Sequence, residues 1–346
     1  MSQLDNPPHL PPDILLDVRG LKVEFRLRDG TVQAVNGVSF QVKRGKTLGI
    51  IGESGSGKSV TAQALMRLTP APGLISAGEI WLNRGAEREQ NIFDLADISA
   101  TGDLIRDIRW NDISMIFQEP MTSFSPVHSI EDQITEAMLL HIENVNRAGA
   151  RQRAVELLTR VGISNAEELV DAYPFQFSGG MRQRAMIAMA LTCNPQLLIA
   201  DEPTTALDVT IEAQILSLIK EIQVEYQMAV IFITHDIAVI GEVSDEVIVM
   251  YLGEIMEHGS VERIFENPLH PYTRALWRSI PTVDGALERL QPIEGAMPDP
   301  FADHAGCSFY SRCDLRVSGL CDRIPPPLVE VEPGHEVRCI LYDEAG

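Results

Sequence analysis

Residues 52–59 read Gly-Glu-Ser-Gly-Ser-Gly-Lys-Ser, a complete G-x-x-x-x-G-K-[ST] pattern. Such a loop binds phosphate. Its glycines let backbone N–H groups crowd around phosphate oxygens, and a helix opening behind it adds its positive end. By that logic Gly52, Ser54, Gly55, Ser56, Gly57 and Val60 line the anion. Lys58 reaches the β- and γ-phosphates, and Ser59 offers its hydroxyl to Mg²⁺. A second group sits at Leu197-Leu198-Ile199-Ala200-Asp201-Glu202, an apolar run closing on two carboxylates. Strands often end in Asp, so the run alone says little. Beside a phosphate loop it becomes specific: Asp201 can share the Mg²⁺ with Ser59, and Glu202 can orient and deprotonate an attacking water. A third group, Phe177-Ser178-Gly179-Gly180, is a Ser/Gly turn opening a helix. Read alone it is an N-cap; it also offers another anion site at a helix N-terminus.

These residues need elements to hold them. Thr47–Ile51 is an apolar run fit for a buried strand, and residues 60–68 read as a helix with Ala62, Leu65 and Met66 on one side. Residues 14–25 and 33–42 read as strands joined by a polar turn, with residues 79–82 as a further edge strand. Residues 84–107 look irregular. Residues 113–117 suit a short buried strand, and 130–169 turn helical. Residues 180–194 form a helix ended by Pro195, with Cys193 inside it. A strand at 197–200, a helix at Val209–Tyr226 and strands at Ala229–Thr234, Glu246–Tyr251 and 254–257 follow. After Gly259 the reading is short helices, then Pro-rich, Cys-bearing coil. Strands alternating with helices predict an α/β core. No second phosphate loop occurs.

The chain has 346 residues, 45% of them hydrophobic, enough for two domains or one large domain with an extension. Its 49 acidic and 28 basic residues leave a net charge of −21. That surface repels a nucleic-acid backbone and argues against such a partner. No run approaches the roughly 18 apolar residues of a membrane span. The first residues carry no basic-then-apolar signal pattern; Pro7–Pro12 reads as a disordered leader.

With these groups in hand, the chain resembles the ATP-binding subunits of ABC transporters. Gly52–Ser59 matches the first nucleotide motif and Leu197–Glu202 the second. Gln118 matches the Q-loop, Ser178-Gly179-Gly180 the signature, Thr205-Ala206-Leu207-Asp208 the D-loop and Thr234-His235-Asp236 the switch histidine. Phe-Ser-Gly-Gly-Met-Arg-Gln-Arg and Asn267-Pro-Leu-His-Pro-Tyr-Thr273 resemble the oligopeptide/dipeptide importer branch. The chain departs from that branch at Ser125, often Asn, and at Phe175, frequently His. The resemblance implies a P-loop ABC ATPase core with a mixed sheet, an antiparallel β subdomain and a helical subdomain, plus a Cys-rich C-terminal extension. It divides the chain into a leader at 1–12, the ATPase domain at 13–260 with its helical part near 118–178, and the extension at 261–346.

It also implies roles. Phe25 stacks on adenine. Gln118 joins Ser59 and Asp201 on Mg²⁺ and senses the γ-phosphate. His235 contacts that phosphate and holds Glu202. Ser178, Gly179 and Gly180 close over ATP bound to a second ATPase subunit, identical or related, and Asp208 acts across the dimer near that subunit's phosphate loop. The implied setting is the cytoplasmic face of an inner membrane, on two permease subunits, served indirectly by a periplasmic solute-binding protein, with peptides or a similar solute as cargo. A soluble ABC ATPase acting on nucleic acid or ribosomes, or a nickel or oligosaccharide importer ATPase of the same branch, is the alternative.

Four of the five cysteines cluster late: Cys307, Cys313, Cys321 and Cys339, spaced C-x5-C-x7-C-x17-C. Neither the tight C-x2-C of zinc sites nor a common ferredoxin run fits. Iron–sulfur, zinc and no metal remain open from the residues; the importer resemblance points to a [4Fe–4S] cluster. In linear order the cysteines follow every hydrolytic residue, which predicts a structural role apart from ATP.

Overall fold

The computed structural model describes residues 8–85, 92–118, 123–205, 207–279, 293–299, 301 and 305–343. Leader residues 1–7, residues 119–122 after Gln118, and Ala206 of the D-loop lie outside the described residues. The chain forms two compact units. The first takes residues up to Leu16, Gln41–Thr47 and Trp81–Ile233; the second takes Asp17–Phe40, Leu48–Ile80 and Thr234 onward.

In the first unit, β6 (Ile113–Ile116), β7 (Leu197–Asp201) and β8 (Ala229–Thr234) pair in parallel, with β7 in the middle. Every residue of the three is buried. That is why they read as apolar runs broken only by Ser114 and closed by Asp201 and Thr234: a parallel strand covered on both faces has no polar side to show. Around them stand α2 (Asp103–Asn111), α3 (Ile130–His141), α4 (Arg147–Arg160), the single turn α5 (Ala166–Leu169), α6 (Gly179–Ala190) and α7 (Val209–Tyr226). Ser129 and Asp132 close a capping box on α3, and Asn146 caps α4.

In the second unit, β3 (Thr47–Ile51) pairs in parallel with β9 (Glu246–Tyr251), and β10 (Glu254–Ser260) runs antiparallel to β9. Then β12 (His335–Val337) runs antiparallel to β10, and β11 (Val329–Glu332) antiparallel to β12. Its helices are α1 (Lys58–Leu65), α8 (Ile237–Val243), α9 (Val261–Glu266) and α10 (Pro271–Arg278). Four further strands, not assigned to either unit alone, form a sheet of order β2-β1-β4-β5: β1 (Ile14–Leu27), β2 (Gly30–Lys43), β4 (Gly73–Asn83) and β5 (Ile92–Asp94). β4 and β5 pair antiparallel.

Several expectations need correction. The strand expected at 79–82 is the end of the longer β4, inside its sheet rather than at an edge. Its early residues, Gly73-Leu-Ile-Ser-Ala-Gly, have no clear alternation to announce it. The stretch 84–107 contains β5 and most of α2. The helix after the signature stops at Ala190, so Cys193 lies in the turn beyond it. The coil expected at the end holds β11 and β12. Three- and four-residue strands rich in Glu carry too little pattern to be read locally; pairing with β10 makes them strands.

Candidate nucleotide site

The phosphate-loop half belongs to the second unit. β3 delivers the chain to the loop, and α1 carries it away. A side-chain carbon at Gly52 would stand 2.2 Å from the Met250 carbonyl, and one at Gly57 would stand 2.4 Å from that of Ala34. Gly57 also has φ 100°, and Gly55 φ 80°. Backbone approach and left-handed geometry together demand glycine here. Lys58 is 5% exposed, and its Nζ donates to the carbonyls of Gly52 (2.7 Å) and Glu53 (3.0 Å). The loop thus holds its own cation. Phe25 is half-buried, its ring so close to Gly73 that an added side-chain carbon there would meet it at 2.7 Å. His235 is exposed just past β8, and Asp236 caps α8 through Oδ1, which accepts from Ala238 and Val239.

The acidic half belongs to the first unit. Asp201 ends β7 and is buried. Glu202 follows with φ 47°, in the left-handed region where a side chain costs about 1–3 kcal/mol. The surroundings fix it there. Its N–H donates to the Ile233 carbonyl at 2.9 Å, extending the ladder with β8. Its Oε2 accepts from Gln118 Nε2 at 2.9 Å and from Thr205 Oγ1 at 2.9 Å. The structure therefore brings Gln118 and Glu202 together, as the sequence suggests. Thr205 was quoted only as part of a motif, yet it is a direct partner. Its position three residues after Glu202, in a tight turn, is the signal that could have marked it.

Ser178 caps α6, its Oγ accepting from Met181 at 3.3 Å, and Asp208 caps α7 by accepting from Ile211 at 2.9 Å. Gly179 leaves open space where a side chain would be, while Gly180 faces Ile211. Just before this turn Tyr173 and Phe175 stack at 5.7 Å, with Phe175 65% exposed. Arg182 ties them to α6 through a 2.7 Å bond to the Pro174 carbonyl.

The late cysteines converge. Cys307, Cys313, Cys321 and Cys339 line one pocket of the second unit, together with His270 and Leu315. Each sulfur accepts a backbone N–H: Cys307 from Phe309, Cys313 from Leu315, Cys321 from Val317 and Cys339 from Leu341. Burial nevertheless pushes Cys307 up to about 12 and Cys313 up to about 11. Among the described residues no set of three or more His, Cys, Asp or Glu side chains is close enough to hold a single metal ion.

The ABC transporter family model matches residues 35–205, and the oligopeptide/dipeptide transporter C-terminal region matches 256–321. The chain is 46% identical to the oligopeptide transport ATP-binding protein AppD of Bacillus subtilis (strain 168), over 96% of this chain and 98% of that one. The chain belongs to the ATP-binding subunits of ABC transporters, in the oligopeptide/dipeptide branch. It is likewise 46% identical to the dipeptide transport ATP-binding protein DppD of the same organism, over 95% of each chain. The cassette fold recurs in a dimeric ATP-binding cassette solved with ADP and Pi (TM-score 0.62, 24% identity, 71% of this chain, 99% of that one). It recurs too in cbiO1 of Clostridium perfringens (TM-score 0.59, 27% identity, 74% and 92%). This ABC subunit is thus an ATPase by family. Among its described residues no helix is long and apolar enough to cross a membrane.

Proposed function

We propose that this ATPase drives peptide import through a membrane permease, with Glu202 as the base that activates water. The observation carrying the reading is the Glu202 carboxylate, held in left-handed backbone geometry and aimed by Gln118 and Thr205. Both donors are neutral and both meet the same oxygen, Oε2, so they fix the direction in which the carboxylate faces. Lys58, with the loop from Gly52 through Val60, receives the phosphates, and Phe25 receives the adenine. Ser59, Gln118 and Asp201 would hold Mg²⁺: hydroxyl, amide and carboxylate oxygens are the hard donors that ion takes. Bound there, it would neutralise phosphate charge. His235 would contact the γ-phosphate and steady Glu202.

Ser178, Gly179, Gly180 and Asp208 would close over nucleotide on a second ATPase subunit, so that hydrolysis alternates closed and open pairs. The helices α3, α4 and α5, between Gln118 and Ser178, would receive two permease subunits at the cytoplasmic face of the inner membrane. A periplasmic solute-binding protein would act only through that permease. The division at residue 260, with the extension after it, belongs to the same reading.

The four cysteines would hold a [4Fe–4S] cluster. Four sulfurs around one pocket, each accepting an N–H, suit thiolates. A cluster of this kind takes one thiolate on each of its irons. Such a cluster would supply a staple for a Pro-rich segment and no hydrolytic chemistry.

The test is the subunit copurified with its permease and reconstituted in vesicles. Peptide uptake should require ATP and stop in Glu202→Gln. ATP-independent uptake, or peptide-insensitive complexes that import a different solute, would refute the reading. Anaerobically purified chain should carry about four irons; stoichiometric zinc would refute the cluster alone.

A further inference from the structure

The segment between Cys307 and Cys313 reaches the phosphate loop through two side chains. Phe309 is buried, with its ring 5.3 Å from those of Tyr251 and Tyr272. The Tyr272 hydroxyl accepts the N–H of Glu53, second residue of the loop, at 2.9 Å. Arg312, immediately before Cys313, grips the Glu53 carboxylate with both terminal nitrogens, at 2.6 and 3.1 Å. Only 4% of the Arg312 side chain is exposed. It also meets the carbonyls of Glu294 and Ile293, the Tyr251 hydroxyl, the Met297 sulfur and the face of the Tyr251 ring. This is a built socket rather than a surface ion pair.

A carboxylate inside a phosphate-binding loop poses an electrostatic problem. The loop exists to receive an anion, and Glu53 adds negative charge where that anion arrives. A planar guanidinium meeting the carboxylate bidentately cancels this charge and fixes its direction. The same contact steadies the Glu53 carbonyl, one of the two that hold Lys58.

We propose that Arg312 is a positioning residue for ATP binding: it neutralises and anchors Glu53, so the four-cysteine segment that carries Arg312 sets the nucleotide affinity of the phosphate loop. The inference rests on the nucleotide reading above and adds a dependence that linear order hides, since Arg312 lies 259 positions from Glu53.

The experiment measures MgATP affinity of the full chain by titration calorimetry, with circular dichroism to check folding. Arg312→Ala should weaken binding about tenfold, the scale of one charge-assisted bond. Arg312→Lys, which keeps the charge, should lose less than about threefold. Adding Glu53→Gln to Arg312→Ala should restore affinity to within about threefold of wild type, because no bare carboxylate remains. A merely structural arginine would show no such rescue. Affinity of Arg312→Ala within twofold of wild type would overturn the proposal, and so would a double variant no tighter than the single one. Should Arg312→Ala not fold, Arg312→Gln with and without Glu53→Gln carries the same two outcomes at closer volume. Wild-type chain without MgATP affinity would fell the nucleotide reading and this inference together. Wild-type binding matched by every variant would fell this inference alone.

Discussion

The phosphate loop and the four-cysteine segment solve one problem in opposite ways. Both gather several groups of one kind around one point, backbone N–H groups in the loop and N–H-accepting sulfurs in the cysteine segment. The loop does so within eight consecutive residues, using glycines where Met250 and Ala34 leave no room for a side chain. The cysteine segment spreads its donors over more than thirty residues, and Cys339 joins the other three only after the chain has passed through β11 and β12. A compact site states itself in sequence. A dispersed one states only its ligands, and leaves its supports unspoken.

The sharpest way to test that contrast lies in the acidic half. Glu202→Gln should cut ATP turnover by about 10²–10⁴-fold while MgATP still binds, because the water loses its base and the phosphate contacts stay. Steady-state hydrolysis with parallel binding checks it; more than half of normal turnover would end the assignment. Next comes Lys58→Ala, which should weaken nucleotide binding itself by about 10–100-fold, the worth of bonds to a charged group. Calorimetry showing unchanged affinity would mean the loop binds nucleotide without its lysine.

The cysteines offer a smaller effect. Burial, opposed by Arg153, pushes Cys193 up to about 11, so at pH 8 its thiol is neutral and iodoacetamide should label it slowly in native protein. Labelling should accelerate only as pH approaches 11, or at once in denaturant. Fast labelling at pH 8 in folded chain would contradict the packing of that turn.

The smallest effect concerns His258 on β10. Burial disfavours its charge, yet Glu336 at 3.0 Å and Glu246 at 3.8 Å hold its pKa up to about 9. A raised folded pKa gives stability that is full below the unfolded value near 6.5 and fades as pH rises through 9. Stability read from thermal melts should therefore fall between pH 7 and 10, by about 2–3 kcal/mol at most. His258→Gln should flatten that slope; a slope left intact would assign it elsewhere.

Legibility followed locality. The strand–loop–helix around Gly52–Ser59, the helix Val209–Tyr226 and the strand Ala229–Thr234 were readable because continuous apolar runs and 3.6-residue periods are written in neighbours. The parallel order of β6, β7 and β8, by contrast, is set by contacts far apart in sequence. So are β11 and β12, whose short Glu-rich runs become strands only by pairing. Thr205 leaves one faint trace in sequence, its place three residues after Glu202 in a tight turn, because a single hydroxyl near a carboxylate forms no wider pattern. Arg312 was invisible because its meaning depends on Glu53, far along the chain, and no spacing rule links them.

The outermost described strand of the second unit's main sheet carries one more lesson, about solubility. β11 is four residues long, with Glu330 and Glu332 along it and Arg263 bound to Glu332. Short, charged edges of this kind discourage strand addition by a stranger. A chain cut before residue 329 would lose both β11 and β12 and lay bare the backbone of β10, where Ile255 and Met256 lie side by side. Such a fragment should keep its phosphate loop and yet aggregate, which makes the last strands the guardians of a surface rather than of a reaction.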